Sequence, residues 1–359
     1  MNPSWQNIHK EFALNGVSHS KEALLEVAYS LVKEGIDFEK SIGDFLLDWC
    51  STKPSLDVYT SGSTGVPKKI TLRKSHMANS ALATGQYFGL EPGDTALLCL
   101  PTDSIAGKMM LVRAMLLGLH LDYVIPSSRP IGQTASTYDF CAMVPLQAEK
   151  SLKEIDGIKT LILGGAPVSL SLEKNLQGTS SKVFETYGMT ETITHVAVRQ
   201  ITPTTDGNFN LLPHIEISQD DRQCLVLHAP KISSGTIVTN DLVELTSKTS
   251  FKWLGRYDTI INSGGIKLIP EQIEKKLSPL LKNRFFVIGV PDETLGQKLV
   301  LVIEGNVNTK DLMQSIRKTR AFGKYEVPKE IISTKEFIET KTGKVQRDKT
   351  LELVKSSLP

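Results

Sequence analysis

The apolar positions of this chain follow two different periods. Leu24, Val27, Ala28 and Leu31 recur at helical spacing before Gly35, and Ile42, Phe45, Leu46 and Trp49 do so again before Pro54. Two amphipathic helices are therefore expected first. Short strands are predicted at 58–59 and 70–72, and a helix from Ser75 to Phe88 closed by Gly89. Apolar runs then alternate with helical patterns: strands at 95–100, 121–125, 140–144, 160–163 and 182–187, helices at 108–117 and 171–176. That alternation predicts a largely parallel sheet with helices on both faces. From Val196 to Leu245 the runs shorten (215–217, 224–227, 243–245) and are broken by Pro, Gly, Asp and Asn, as in a small antiparallel subdomain. Past Arg256 come strands at 259–261, 284–288 and 299–303 and helices at 271–280 and 310–320. The expected fold class is α/β: a large N-terminal domain (residues 1–257) with mainly parallel sheets plus a small antiparallel β subdomain, then a small α+β C-terminal lid domain (residues 258–359).

Composition changes this picture little. With 359 residues, 40% hydrophobic and 22% charged, the chain has enough apolar material for well-filled cores. A net charge of only +2 gives no whole-protein argument for nucleic acid or a membrane surface. Its distribution is uneven: residues 259–359 hold 18 basic against 12 acidic side chains, and the rest 23 against 27. A basic C-terminal third suits a lid closing on phosphates, and equally a solvated basic face. Cys50, Cys99, Cys141 and Cys224 are widely separated and lack zinc spacing, so core thiols of a reducing compartment are expected. The most hydrophobic stretch, Met109 to Leu121, is interrupted by Arg113, which argues against membrane insertion and for a cytoplasmic protein.

The chemistry concentrates between the third and fourth apolar runs, in Tyr59-Thr-Ser-Gly-Ser-Thr-Gly-Val-Pro-Lys-Lys69. Gly62 and Gly65 let the backbone turn its N–H groups toward an anion. Thr60, Ser61, Ser63 and Thr64 add hydroxyls, and Lys68 and Lys69 add positive charge. The spacing is not that of the nucleotidase loop, where lysine directly follows the second glycine, and Gly107-Lys108 fails the same test by continuing into Met109. A Ser/Thr/Gly-rich surface turn is the plainer alternative.

This stretch resembles the phosphate loop of the adenylate-forming superfamily (acyl-CoA ligases, luciferases and peptide-synthetase adenylation domains), and further segments match that superfamily in order. Leu163-Gly164-Gly165-Ala166-Pro167 resembles the segment on which adenine lies, although a strand-ending turn would look the same. Thr186-Tyr187-Gly188-Met189-Thr190-Glu191 resembles Tyr-Gly-x-Thr-Glu. The resemblance implies that Tyr187 stacks on adenine beside Gly188, Thr190 contacts the α-phosphate and Glu191 holds Mg²⁺, a cation suited to carboxylate and phosphate oxygens. Asp241 stands where the superfamily binds ribose hydroxyls, with Asn240 replacing the usual glycine; asparagine still tolerates positive φ. Gly255-Arg256-Tyr257-Asp258 resembles Gly-Arg-x-Asp, implying a nucleotide contact for Arg256 and a hinge role for Asp258. Ser263-Gly264-Gly265-Ile266-Lys267 continues the motif and is assigned to CoA, and Lys344 in Lys341-Thr-Gly-Lys-Val-Gln-Arg347 corresponds to the catalytic lysine.

The implied activity is an AMP-forming acid–thiol ligase using ATP, Mg²⁺ and CoA: a carboxylate becomes an acyl-adenylate with release of pyrophosphate, and a thiol then displaces AMP. The short segment before the phosphate loop, together with Ile105-Ala-Gly-Lys-Met-Met-Leu-Val-Arg113, looks like the compact 2-succinylbenzoate-CoA ligases within the superfamily. Lys108 and Arg113 are accordingly candidates to neutralise the second carboxylate of an aromatic dicarboxylic acid. Read alone, Arg113 is equally a solvated or ion-paired helix residue, and His195 equally a pocket wall or a core residue. A stand-alone enzyme that loads a carrier protein would share every motif and differ only in its thiol acceptor. A non-catalytic nucleotide-binding relative would be expected to have lost side chains such as Glu191, Asp241 and Lys344. The expected partners are small molecules only.

Overall fold

The computed structural model describes residues 4–60, 68–204, 206–339 and 345–356. The chain forms two compact units, Met1–Ile217 with Leu227–Ile237 and Thr246–Phe251, and Ser218–Val226 with Val238–Leu245 and Lys252–Pro359.

In the first unit the elements run β1 (Ala13–Leu14), β2 (Val17–Ser18), α1 (Lys21–Glu34), α2 (Asp37–Cys50), β3 (Ser55–Thr60), β4 (Lys68–Arg73), α3 (Lys74–Phe88), β5 (Thr95–Leu98), α4 (Ile105–Leu117), β6 (His120–Tyr123), β7 (Tyr138–Met143), α5 (Pro145–Lys150), β8 (Ile158–Leu163), α6 (Leu170–Leu176), β9 (Lys182–Gly188), β10 (His195–Thr202) and β11 (Phe209–Leu211). Both predicted N-terminal helices are present, with Leu24, Ala28, Ile42, Phe45, Leu46 and Trp49 buried. α3 ends where expected, its C-cap Gly89 in the left-handed conformation at φ 65°.

The sheet order β2-β1-β6-β5-β7-β8-β9-β10-β11 has a parallel centre, every neighbouring pair from β1 to β9 running the same way. β10 is antiparallel to β9, and β11 to β10. Strand alternation divides the central side chains between two faces. Leu97, Cys141, Met143, Leu161, Leu163 and Val183 pack with Leu172 and Leu176 of α6. On the other face the Phe88 ring of α3 meets Phe140 at 5.7 Å and Phe184 at 5.1 Å. The expected parallel sheet with two helical covers is thus the observed one. β3 and β4 pair apart from it as an antiparallel ribbon.

Four further strands, β12 (Glu216–Gln219), β13 (Cys224–His228), β14 (Ile237–Ser247) and β15 (Ser250–Arg256), have residues divided between the units. The second unit continues with β16 (Ile261–Ser263), β17 (Ile266–Leu268), α7 (Pro270–Leu277), β18 (Phe285–Asp292), β19 (Gly296–Glu304), α8 (Thr309–Lys318), β20 (Glu330–Thr334) and α9 (Arg347–Ser356). The strand expected at 259–261 starts later, because Tyr257–Thr259 form a single 3₁₀ turn. The sheet β17-β16-β19-β18, with β20 beside β19, separates two apolar clusters. Leu299, Leu301 and Ile303 face Ile273, Leu277 and Ile316 of the helices. Val300 and Val302 face Phe286, Phe337 and Leu351. All four cysteines are buried free thiols.

Candidate active site

Two predicted nucleotide segments sit side by side at the carboxyl ends of β8 and β9, where ligands of open parallel sheets bind. The strands are in register at Leu163 and Glu185, which sets Gly164 next to Thr186. Thr186 Oγ1 donates to the Leu163 carbonyl at 3.0 Å, and a Cβ on Gly164 would lie 2.5 Å from that oxygen. Gly165 turns the chain at φ 82° and leaves itself and Ala166 exposed. Tyr187 is half-buried, its ring edge-on to Phe209 at 5.9 Å and Phe251 at 5.2 Å, and those two rings stack at 5.5 Å. A side chain on Gly188 would strike the Thr194 carbonyl at 2.2 Å.

After Gly188, Thr190–Thr192 make a 3₁₀ turn with Thr190 half-buried and Glu191 exposed. Ile193 follows at φ 68°, ψ −65°, with Thr194 N–H donating to Thr192 O at 2.8 Å. A buried β-branched residue in this γ-turn is strained by about 1–3 kcal/mol. The strained turn aims Glu191 outward and Thr194 inward.

Inward lies Arg113 of α4, only 2% exposed. Its Nη2 donates to Thr194 Oγ1 at 3.2 Å, its Nε to Thr84 Oγ1 at 3.4 Å and its Nη1 to Met110 Sδ at 3.7 Å. These partners are all neutral, and among the described residues no carboxylate pairs with this guanidinium. Burial pushes its pKa down to about 10. His195 is also buried, within 3.4 Å of Thr84 Oγ1; desolvation first, and Arg113 second, hold its pKa well below the ordinary value. It lines a cavity of about 20 Å³ with Ser80, His214 and Lys231 and belongs to the core as well.

Lys108 points elsewhere. Its Nζ donates to Thr102 O and lies 5.6 Å from the Phe45 ring of α2. Five residues apart on a helix, Lys108 and Arg113 are turned about 140° from each other. The structure does not bring them together.

Ser61, Gly62, Ser63, Thr64 and Gly65 lie outside the described residues, between Thr60 and Lys68, which pair at the ends of β3 and β4. Lys69 is held by Asp57 across the ribbon at 2.9 Å.

Within the second unit, Asp241 is buried and accepts the Trp253 indole N–H at 3.0 Å, with Arg256 Nη1 3.6 Å away. Arg256 also grips Asp258, donating through Nε at 3.0 Å and Nη2 at 2.8 Å. Asn240 lies in β14 and is not at positive φ, so backbone freedom is not its role. Its Oδ1 accepts from Arg222 Nη1 at 2.9 Å, and the Arg222 guanidinium lies 5.1 Å from the Tyr257 ring. Sequence reading missed Arg222, which flanks no motif, and Trp253, two residues before Gly255. Gly264 and Gly265, at φ 60° and 80°, form the two-residue turn of the β16–β17 hairpin, with Lys267 exposed on β17. Lys344 lies outside the described residues. Arg347 pairs with Glu274 at 2.8 Å, and burial nonetheless raises the Glu274 pKa.

The chain belongs to a family of AMP-forming enzymes. The family described as AMP-binding enzyme matches residues 49–223. An acyl-CoA synthetase (AMP-forming)/AMP-acid ligase II-like protein from Dyadobacter fermentans DSM 18053 is 35% identical over 94% of this chain and 99% of its own, with a TM-score of 0.63. A 2-succinylbenzoate–CoA ligase of Listeria monocytogenes is 25% identical over 94% of this chain and 82% of that protein. The o-succinylbenzoate coenzyme A synthetase of Bacillus subtilis, solved in complex with ATP and magnesium ion, shares the fold at 19% identity and a TM-score of 0.72, covering 95% and 84%.

Proposed function

We propose that the protein is an acid–CoA ligase that activates 2-succinylbenzoate with ATP, releasing pyrophosphate and then AMP. The observation that carries the substrate is Arg113, a buried guanidinium whose described partners are all neutral. An uncompensated buried cation is costly, and the second carboxylate of a dicarboxylic acid would compensate it. The relatives named for this substrate support the same choice. Lys108 has no part in this reading, since its ammonium is turned toward α2.

In this reading Tyr187 and the Gly164–Ala166 backbone hold adenine, Thr190 meets the α-phosphate, and Asp241 takes the ribose hydroxyls with Arg256 beside it. One exposed carboxylate at Glu191, next to the Thr190 hydroxyl, fits Mg²⁺, which takes one or two carboxylates and completes its shell with phosphate oxygens and water. Bound there, Mg²⁺ would neutralise phosphate charge. Ser61 to Gly65 and Lys68 orient the triphosphate, Lys344 stabilises charge at the α-phosphate during adenylation, Asp258 is the hinge residue, and Gly264, Gly265 and Lys267 receive CoA. Product analysis tests the proposal: with ATP, Mg²⁺, CoA and 2-succinylbenzoate the account predicts AMP and the aryl thioester. ADP as product, or an equal rate with benzoate, would contradict it.

A further inference from the structure

The loop that carries Gly164 and Gly165 is held by a carboxylate with no role in the proposed chemistry. Glu185 lies two residues before Tyr187 on β9, on the same face of the strand, and is buried. Its Oε1 accepts the Val168 N–H at 2.8 Å. Its Oε2 accepts from Arg199 of β10 through Nε at 2.9 Å and Nη2 at 2.6 Å. Arg199 also donates to Glu173 of α6, and its guanidinium lies 5.9 Å from the Phe209 ring that packs edge-on against Tyr187. One guanidinium therefore ties together the Gly164–Val168 loop, the helix that follows it and the aromatic support of Tyr187.

A buried ion pair of this kind adds little net stability over an apolar pair of equal volume, but two hydrogen bonds to one carboxylate oxygen fix its partners in one geometry. We propose that Glu185 and Arg199 are positioning residues for purine binding. They set the gap between the Tyr187 ring and the Gly164–Ala166 backbone, so that a flat base enters and its edge meets a loop that cannot move away. The inference rests on the ATP reading given above.

The test is ATP–pyrophosphate exchange measured on the parent, Glu185→Gln and Arg199→Lys. Glu185→Gln keeps an acceptor for Val168 N–H while removing the charge that holds Arg199. Arg199→Lys keeps the charge and loses the fork. The expected result is a rise of about tenfold in KM for ATP, a similar fall in preference for ATP over GTP, and an unchanged KM for the acid. Where either variant fails to fold, Glu173→Gln, which removes only the α6 partner, is read the same way and shows a smaller shift in the same direction. Lack of exchange by the parent overturns the ATP reading itself. Parent exchange with an unshifted KM for ATP in the folded variants, or a lowered melting temperature with uniform loss of kcat, overturns the positioning role alone.

Discussion

Replacing Arg113 with methionine should separate binding from stability. The guanidinium is buried in α4 against the Met110 sulfur, where an unbranched apolar side chain of similar length fits the space. Thr84 keeps its bond to the Ser80 carbonyl at 3.0 Å after the change. No described carboxylate is left unpaired, and a desolvated charge is removed, so the melting temperature should stay level or rise, by about 2–4 °C for each kcal/mol gained. Acid binding should suffer instead. Losing a charge-assisted hydrogen bond worth about 1.5–3 kcal/mol raises KM for 2-succinylbenzoate about 10- to 150-fold. The KM for ATP should be unchanged, because the lost contact belongs to the acid. Thermal melting and exchange kinetics on Arg113→Met check both halves. An unchanged KM for the acid, or a large fall in melting temperature, would refute the reasoning.

Lys74 is a buried lysine that serves the fold rather than the site. Its ammonium donates to the carbonyls of Asp48 at 2.5 Å and of Trp49 and Ser51 at 3.1 Å, capping the end of α2. Lys74→Met should cost about 2–4 kcal/mol, seen in denaturant unfolding, with KM values of the folded fraction unaltered. His195 stays neutral in the fold, whereas the unfolded ring protonates near its ordinary pKa of about 6.5. The unfolded chain therefore binds the extra proton, and stability present at pH 7.5 falls as pH drops through that value toward 5; His195→Gln should flatten this slope in melting curves. Lys344→Ala should slow adenylation by about 10² to 10³ while sparing attack of CoA on supplied acyl-adenylate, and equal damage to both half-reactions would remove the lysine from its assigned step.

The elements were most legible where one period ran unbroken. Leu24 to Leu31 and Ile42 to Trp49 each present a single apolar stripe, and α1 and α2 follow. β10 was not separated from its surroundings, because a strand between two neighbours is buried on both faces and His195–Thr202 shows no clean alternation. The fate of Arg113 had a usable signal. From Met109 to Leu117 α4 is apolar on every face apart from Arg113 itself, so a charge there has no solvent side to reach. The angle between Lys108 and Arg113 also follows from their spacing alone. Glu185 and Arg199 were invisible for a different reason: each acts through partners distant in sequence that only the fold brings together, and Arg222, in the turn before β13, reaches Asn240 of β14 in the same way.

Acid-dependent exchange of labelled pyrophosphate into ATP tests the central claim most directly. With Mg²⁺ and no CoA, 2-succinylbenzoate should support exchange, while benzoate and a long-chain fatty acid should support far less. Exchange that needs no acid, or that runs equally well with all three, would contradict the account.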